Sequence, residues 1–308
     1  NYSYEKIEGI VYLSLDPQDP KNSMITDIQF APTNSEGRVE YAADFKLLVP
    51  SSNIANSGLL YMVNNRGRGS TPPEISLSDP LSELGFTYLL TGWINEIEER
   101  PGILRLHAPI VVSSEQEPIT GEVRYEVSVS RTSNDVNIAG GSHLAYEPTE
   151  AGLRQARLSE RGYLRDPRIP IERSQFELSI DDSPNSNQKR IQLSVDDDLK
   201  PGVIYELIYE AKDPVLAGAG MSAIRDLVSL IRYKSDQAGQ LVGLDLHDIE
   251  HTVAYGFSQS GRLLRQYLYD GFNQDLEGRK VFDGVVPFTA GGGYGMFNNR
   301  FAMPTRTN

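Results

Sequence analysis

A chain of 308 residues with 39% hydrophobic and 23% charged positions has the composition of a folded globular protein, long enough for a sizeable core, and disorder and fibrous repeats are excluded. The 42 acidic side chains against 29 basic ones give a formal charge of -13, which argues against nucleic acid and anionic membrane surfaces as partners. Cysteine is absent, so disulfides, thiolate metal sites and a cysteine nucleophile are excluded, and no apolar run approaches the ~18 residues of a bilayer span.

The first third alternates apolar and polar residues in short runs, which is strand spacing. Ile10 to Leu15 stops at Asp16-Pro17, and Val39 to Val49 stops at Pro50. The next runs, Leu59 to Val63 and Phe86 to Leu90, are continuously apolar, as expected of strands covered on both faces. Between them Leu77 to Leu84 predicts a short helix opened by Ser78 or Asp79 with Pro80 just inside, so the unit reads strand, helix, strand with parallel strands.

From about 108 to 212 the strands return without helices: Gly121 to Ser130, Phe176 to Ile180, Ile191 to Val195 and Val203 to Ala211, with a polar, turn-rich stretch over 181–187. Helical spacing resumes at Ala223, Ile224, Leu227, Val228 and Ile231. A buried-strand run, His251 to Tyr255, a second helical face, Leu263, Leu264, Tyr267 and Leu268, and a strand over Val281 to Phe288 complete the pattern. Alternation of this kind predicts an α/β protein with a mostly parallel sheet, divided as 1–107 (N-terminal half of the core), 108–212 (a β-rich insertion) and 213–308 (the rest of the core).

The chemistry concentrates at Gly256-Phe257-Ser258-Gln259-Ser260-Gly261, where an apolar strand meets an amphipathic helix. A nucleophile elbow needs small residues on both sides of its serine because the turn is tight, and it lifts the hydroxyl off the sheet edge. Its tetrahedral intermediate needs donors already in place. The Gln259 N–H, at the positive end of the following helix, is one, and the glycine-containing turn Asn64-Asn65-Arg66-Gly67 is the expected source of a second, through Asn65 and Arg66. The bland reading is that Ser258 caps the helix that follows.

The stretch Tyr255 to Arg265 resembles the elbow of a largely uncharacterised set of bacterial proteins catalogued as the α/β-hydrolase domain family. The likeness extends to Gly9–Asp16, Ile25–Asp27, Val63–Gly67, Gly92-Trp93, Asp213–Gly218 and Arg225–Leu227. It implies an α/β-hydrolase core, a serine hydrolase with its nucleophile at Ser258, and no assigned substrate. The resulting expectation is an ester hydrolase acting on a small molecule, with no metal or organic cofactor.

Arg66, Arg68, Arg262 and Arg265 offer planar bidentate forks for a substrate carboxylate, Arg262 above all, and Trp93, the only tryptophan, is a candidate pocket wall. A competing function is an NAD(P)-dependent oxidoreductase, since Gly218-Ala219-Gly220-Met221-Ser222-Ala223 fits G-x-G-x-x-G/A with Asp236 further on. A third is a non-catalytic glycan- or protein-binding module. The four histidines, His107, His143, His247 and His251, lack metal-site spacing. No histidine follows Ser258, and His251 precedes it by seven residues of strand, roughly 20 Å. Asp270, Asp275, Glu277 and Asp283 fall around the wrong end of the sheet. Acid and base are therefore expected from a segment beyond Asn308. The opening at Asn1-Tyr2, directly before strand-like residues, leaves room for a removed leader and leaves the compartment open, export being favoured.

Overall fold

The computed structural model describes residues 3–115, 117–140, 143–181, 190–244 and 246–305. They form two compact units, Asn1–Asn95 with Arg100–Pro109 and Leu216–Asn308, and Glu96–Glu99 with Ile110–Val215. The turn-rich stretch expected at 181–187 lies, after Asp181, outside the described residues.

The first unit begins with β1 (Tyr4–Leu15) and β2 (Val39–Pro50), paired antiparallel along their full length from Tyr4↔Pro50 to Leu15↔Val39. Half-exposed alternation in β1 is what one covered face of an antiparallel pair produces. β3 (Gly58–Met62) and β4 (Thr87–Thr91) follow, joined through α1 (Pro72–Ile75) and α2 (Pro80–Glu83), and β5 (Leu106–His107) closes this portion. The helix read over 77–84 shrinks to α2, capped by the Asp79 carboxylate on the Leu81 N–H, and α1 comes before it with its own Thr71–Glu74 capping box.

The second unit is β-rich. β6 (Thr120–Val127), β8 (Arg157–Arg161), β9 (Ile169–Ile171) and β12 (Ile204–Lys212) make a four-stranded sheet, and β7 (Ser133–Asn137), β10 (Phe176–Asp181) and β11 (Arg190–Leu199) a three-stranded one. The expectation of no helix here was wrong: α3 (Glu150–Gln155) starts at Thr149, whose hydroxyl accepts from the Gly152 N–H at 2.9 Å. The helix fits because Gly152 lies so close to β12 that a Cβ there would stand 2.0 Å from the Glu210 carbonyl oxygen.

The chain then returns to the first unit with α4 (Ala219–Tyr233), α5 (Ser235–Val242), β13 (His251–Phe257), α6 (Gln259–Tyr269) and β14 (Gly284–Phe288). Its sheet runs β1-β2-β4-β3-β13-β14, with β5 beside β2. β4, β3, β13 and β14 are mutually parallel, whereas β1, β2 and β5 pair antiparallel, so the sheet is mixed and not mostly parallel. The difference arises because β1 and β2 pair directly with each other through a loop, without a crossover helix. The fully buried Leu59, Tyr61, Leu89 and Ala254 of the central strands, with Leu263, Leu264 and Tyr267 of α6, lie in the core.

Candidate active site

β13 pairs in parallel with β3, from His251↔Gly58 to Tyr255↔Met62, and with β14, up to Phe257↔Phe288. Every chain direction in this part of the sheet therefore ends at the same edge, and β13 turns there into α6 through a single residue. That residue is Ser258, with φ 57° and ψ -115°, a backbone state that L residues avoid. Its N–H donates to the Phe288 carbonyl at 2.9 Å, its own carbonyl accepts from the Arg262 N–H at 3.0 Å, and the residue is exposed. No cap hydrogen bond comes from its side chain, so the helix-cap reading does not hold.

The flanking glycines are required by backbone crowding. A Cβ on Gly256 would lie 2.5 Å from the Ser260 carbonyl oxygen, and one on Gly261 would lie 2.8 Å from the Gly256 oxygen and 3.0 Å from that of Phe288. Ser260, the other serine of the motif, is buried, and its hydroxyl donates to the Asn64 carbonyl at 3.0 Å. It fastens the helix start to the neighbouring loop, leaving Ser258 as the exposed hydroxyl.

Gln259 is buried, and its backbone N–H occupies the first helical position, where no intrahelical acceptor exists. Its side-chain amide donates to the Pro304 carbonyl, while its Oε1 is buried without a partner. The loop after β3 is a tight turn: Arg66 and Gly67 have φ 53° and 76°, the Asn65 N–H donates to the Arg68 carbonyl at 2.9 Å, and the Gly67 N–H donates to Asn64 Oδ1 at 2.9 Å. Of the two expected loop donors, the Asn65 N–H is thus engaged inside the turn, which corrects its assignment as an oxyanion donor. The Arg66 N–H makes no hydrogen bond among the described residues. The Arg66 guanidinium reaches Asn65 Oδ1 at 3.1 Å and the Thr305 carbonyl at 3.3 Å.

Among the described residues, Trp93 lines none of the main cavities. It is buried, its indole N–H donates to the Asn64 carbonyl at 2.9 Å, and its ring meets Phe297 edge-on at 5.5 Å. Asn64, which sequence reasoning passed over, is the hub of this region: its carbonyl accepts from Trp93 and Ser260, and its amide donates to the Thr91 carbonyl at 2.6 Å. The signal available was an asparagine directly at the end of an apolar strand, where a side chain able to cap a turn is wanted.

The dinucleotide reading fails on geometry. Gly220 lies against Trp93, where a Cβ would stand 2.4 Å from its carbonyl oxygen, and Gly218 against Asn298, where one would stand 2.2 Å from Oδ1. The glycines permit close packing and leave no room for a pyrophosphate. Moreover α4 passes straight into α5, which carries Asp236, so that acid is not presented by a second strand.

Of the histidines, His251 begins β13 at the opposite edge of the sheet from Ser258. His107 Nε2 is hydrogen-bonded to Asp44 Oδ1 at 2.8 Å, and β5 takes the place of β4 along β2, two strand spacings or about 10 Å from β13. His143 belongs to the second unit. The acids after Ser258 are engaged elsewhere: Asp283 accepts from the Thr252 N–H at 3.0 Å and from Arg232, and Asp275 from Ser229 and Arg279. Asp270 closes α6, and burial raises its carboxyl above the usual range. Arg68 is exposed, while Arg262 and Arg265 lie along α6 beside a cavity of about 270 Å³ formed with Gly292, Gly293 and Tyr294.

Residues 191–307 match a family model described as Alpha/beta hydrolase domain, a stretch well under half the chain that contains β13, Ser258 and α6. No curated protein and no solved structure matches the chain.

Proposed function

We infer from the alpha/beta hydrolase family that this match supports, and with it hydrolase activity in general, that Ser258 is the nucleophile of a carboxylic-ester hydrolase. The observation that carries the reading is one exposed hydroxyl in strained backbone geometry at the carboxyl edge of parallel strands, the edge where open α/β sheets bind ligands. In the reaction Ser258 Oγ bonds to the acyl carbon while its proton passes to a base, and the alcohol leaves as the tetrahedral adduct collapses. Water then releases the acid from the acyl-enzyme. The Gln259 N–H and the Arg66 N–H are the donors for the oxyanion.

The base and its orienting acid come from residues outside the elbow's own strands. Triad members in α/β-hydrolases follow in the order serine, acid, histidine. A serine-directed fluorophosphonate tests the nucleophile. Labelling of the full chain that disappears in Ser258→Ala supports the reading, and labelling that persists in the variant ends it.

A further inference from the structure

We propose that the cavity along α6 is an anion subsite that selects substrates with a carboxylate set apart from the ester to be cleaved. The inference rests on the reading of Ser258 as nucleophile and adds a substrate class to it.

Residues 258, 262, 265 or 266, and 269 recur at helical spacing, so one stripe of α6 carries Ser258, then Arg262, then Arg265 and Gln266, then Tyr269. At 1.5 Å per residue Arg262 lies about 6 Å and Arg265 about 10 Å further along the axis than Ser258. The cavity that this stripe borders is completed by Gly292, Gly293 and Tyr294.

Its electrostatics are unusual for so acidic a chain. Among the described residues neither Arg262 nor Arg265 pairs with a carboxylate. Arg265 donates to the Gly291 carbonyl, and the Arg262 Nε is buried with no partner among the described residues. A guanidinium that lines a cavity with no carboxylate beside it is a charge that a bound anion complements. The guanidinium of Arg262 lies close against the backbone at Gly291, where a Cβ would stand 2.5 Å from its Nη2 and 3.2 Å from its Cζ.

The remaining polar groups suit an anion. Tyr294 meets Tyr269 edge-on at 5.4 Å, and its hydroxyl is pushed up to about 12 by the hydrogen bond to Tyr269 and by burial, so it is a neutral donor at physiological pH. Asp270, which follows the same helix, accepts from the Gln266 amide at 3.3 Å. The planar fork of arginine matches a carboxylate bidentately, which favours a carboxylate ligand.

The test uses the full chain carrying Ser258→Ala, so that binding is read without turnover, and compares monomethyl adipate with dimethyl adipate by calorimetry. The charged monoester should bind roughly tenfold or more tightly, the gain expected of one charge-assisted pair. Arg262→Gln and, separately, the exposed Arg265→Gln should each shrink that preference several-fold, and Arg262→Lys should keep part of it, with thermal unfolding run on each to establish that it is folded. Equal affinity for the two esters, no measurable binding of the monoester, a preference that survives both glutamine variants, or tighter binding of inorganic phosphate than of the monoester would each overturn the proposal. Because charge preference is read with the nucleophile removed, its failure is separate from any failure of phosphonate labelling at Ser258.

Discussion

Gly256→Ala is the change that most directly probes the elbow. The added Cβ would stand 2.5 Å from the Ser260 oxygen, 2.6 Å from its carbonyl carbon and 2.9 Å from the Gly261 nitrogen, all backbone atoms that cannot rotate aside. Ordinary carbon contacts begin near 3.5 Å, so the start of α6 must retreat by close to an ångström. Overpacking of this kind costs about 1–3 kcal/mol, and the reduced freedom of the unfolded chain returns about 0.5, leaving a loss of about 2 kcal/mol. In a unit of this size that lowers Tm by roughly 4–8 °C. Gly284→Ala is the matched control one strand away, where a Cβ would meet only Val253 at 3.6 Å, ordinary contact. Circular dichroism melts of both variants, paired with phosphonate labelling, read the result. Gly256→Ala should melt early and lose labelling, because Ser258 is displaced with the helix start, and Gly284→Ala should match the wild type in both. A Gly256→Ala protein that melts within a degree of wild type and labels normally would refute the crowding argument.

Ser258→Ala should abolish labelling while moving stability by no more than roughly 0.5 kcal/mol, as for other exposed positions; a large loss of Tm would mean that the hydroxyl has a structural partner. Trp93→Phe removes the donor to the Asn64 carbonyl and should cost about 1–2 kcal/mol in denaturant unfolding, together with weaker labelling as the Asn64 loop shifts; unchanged stability would show that the bond is dispensable. Burial works to raise the Asp283 carboxyl, yet the Thr252 N–H and Arg232 outweigh it and hold the group below the usual carboxylate value. A depressed acid stabilises the fold above its unfolded pKa of about 3.9 and loses that contribution as pH falls through the folded value. Asp283→Asn should therefore cost about 1 kcal/mol near neutrality and progressively less below about pH 4, and a cost independent of pH would refute this origin.

What was legible in the sequence was set by local rules. Pro17 and Pro50 end β1 and β2, the glycine-flanked serine lies between a strand and a helix, and the apolar runs at Leu59 and Phe86 became the parallel strands β3 and β4. Strand direction was less legible, since alternation in β1 reports one covered face but not which neighbour runs which way, and the mixed sheet follows from pairings between residues far apart in sequence. The engagement of the Asn65 N–H and of the Trp93 indole was hidden for a related reason. Whether a backbone N–H or an indole is free depends on its acceptor, and these acceptors, Arg68 and Asn64, are fixed by the closed turn and not by residue type. The unpartnered Arg262 could not be read either, because its isolation is a property of what surrounds it in space.

The two edges of the central sheet divide the work, and that division is the strongest physical argument for where function lies. At the edge where β13 begins, charges are matched: Asp283 with Arg232 at 2.9 Å and Asp275 with Arg279 at 2.8 Å, while the Thr252 hydroxyl donates to the Val281 carbonyl. These groups have their partners and contribute stability. At the edge where β13 ends, demands are left open among the described residues: a strained Ser258, an unengaged Arg66 N–H, and a buried Arg262 Nε without an acceptor. Strain and unpaired donors each cost on the order of 1–3 kcal/mol, and a fold retains them only where the surrounding structure enforces them. Gly256 and Gly261 enforce the strained turn at Ser258, since a Cβ on either would press on backbone atoms. Two glycines that admit one strained, exposed serine at the edge where open α/β sheets bind ligands are more economically explained by a ligand arriving there than by packing.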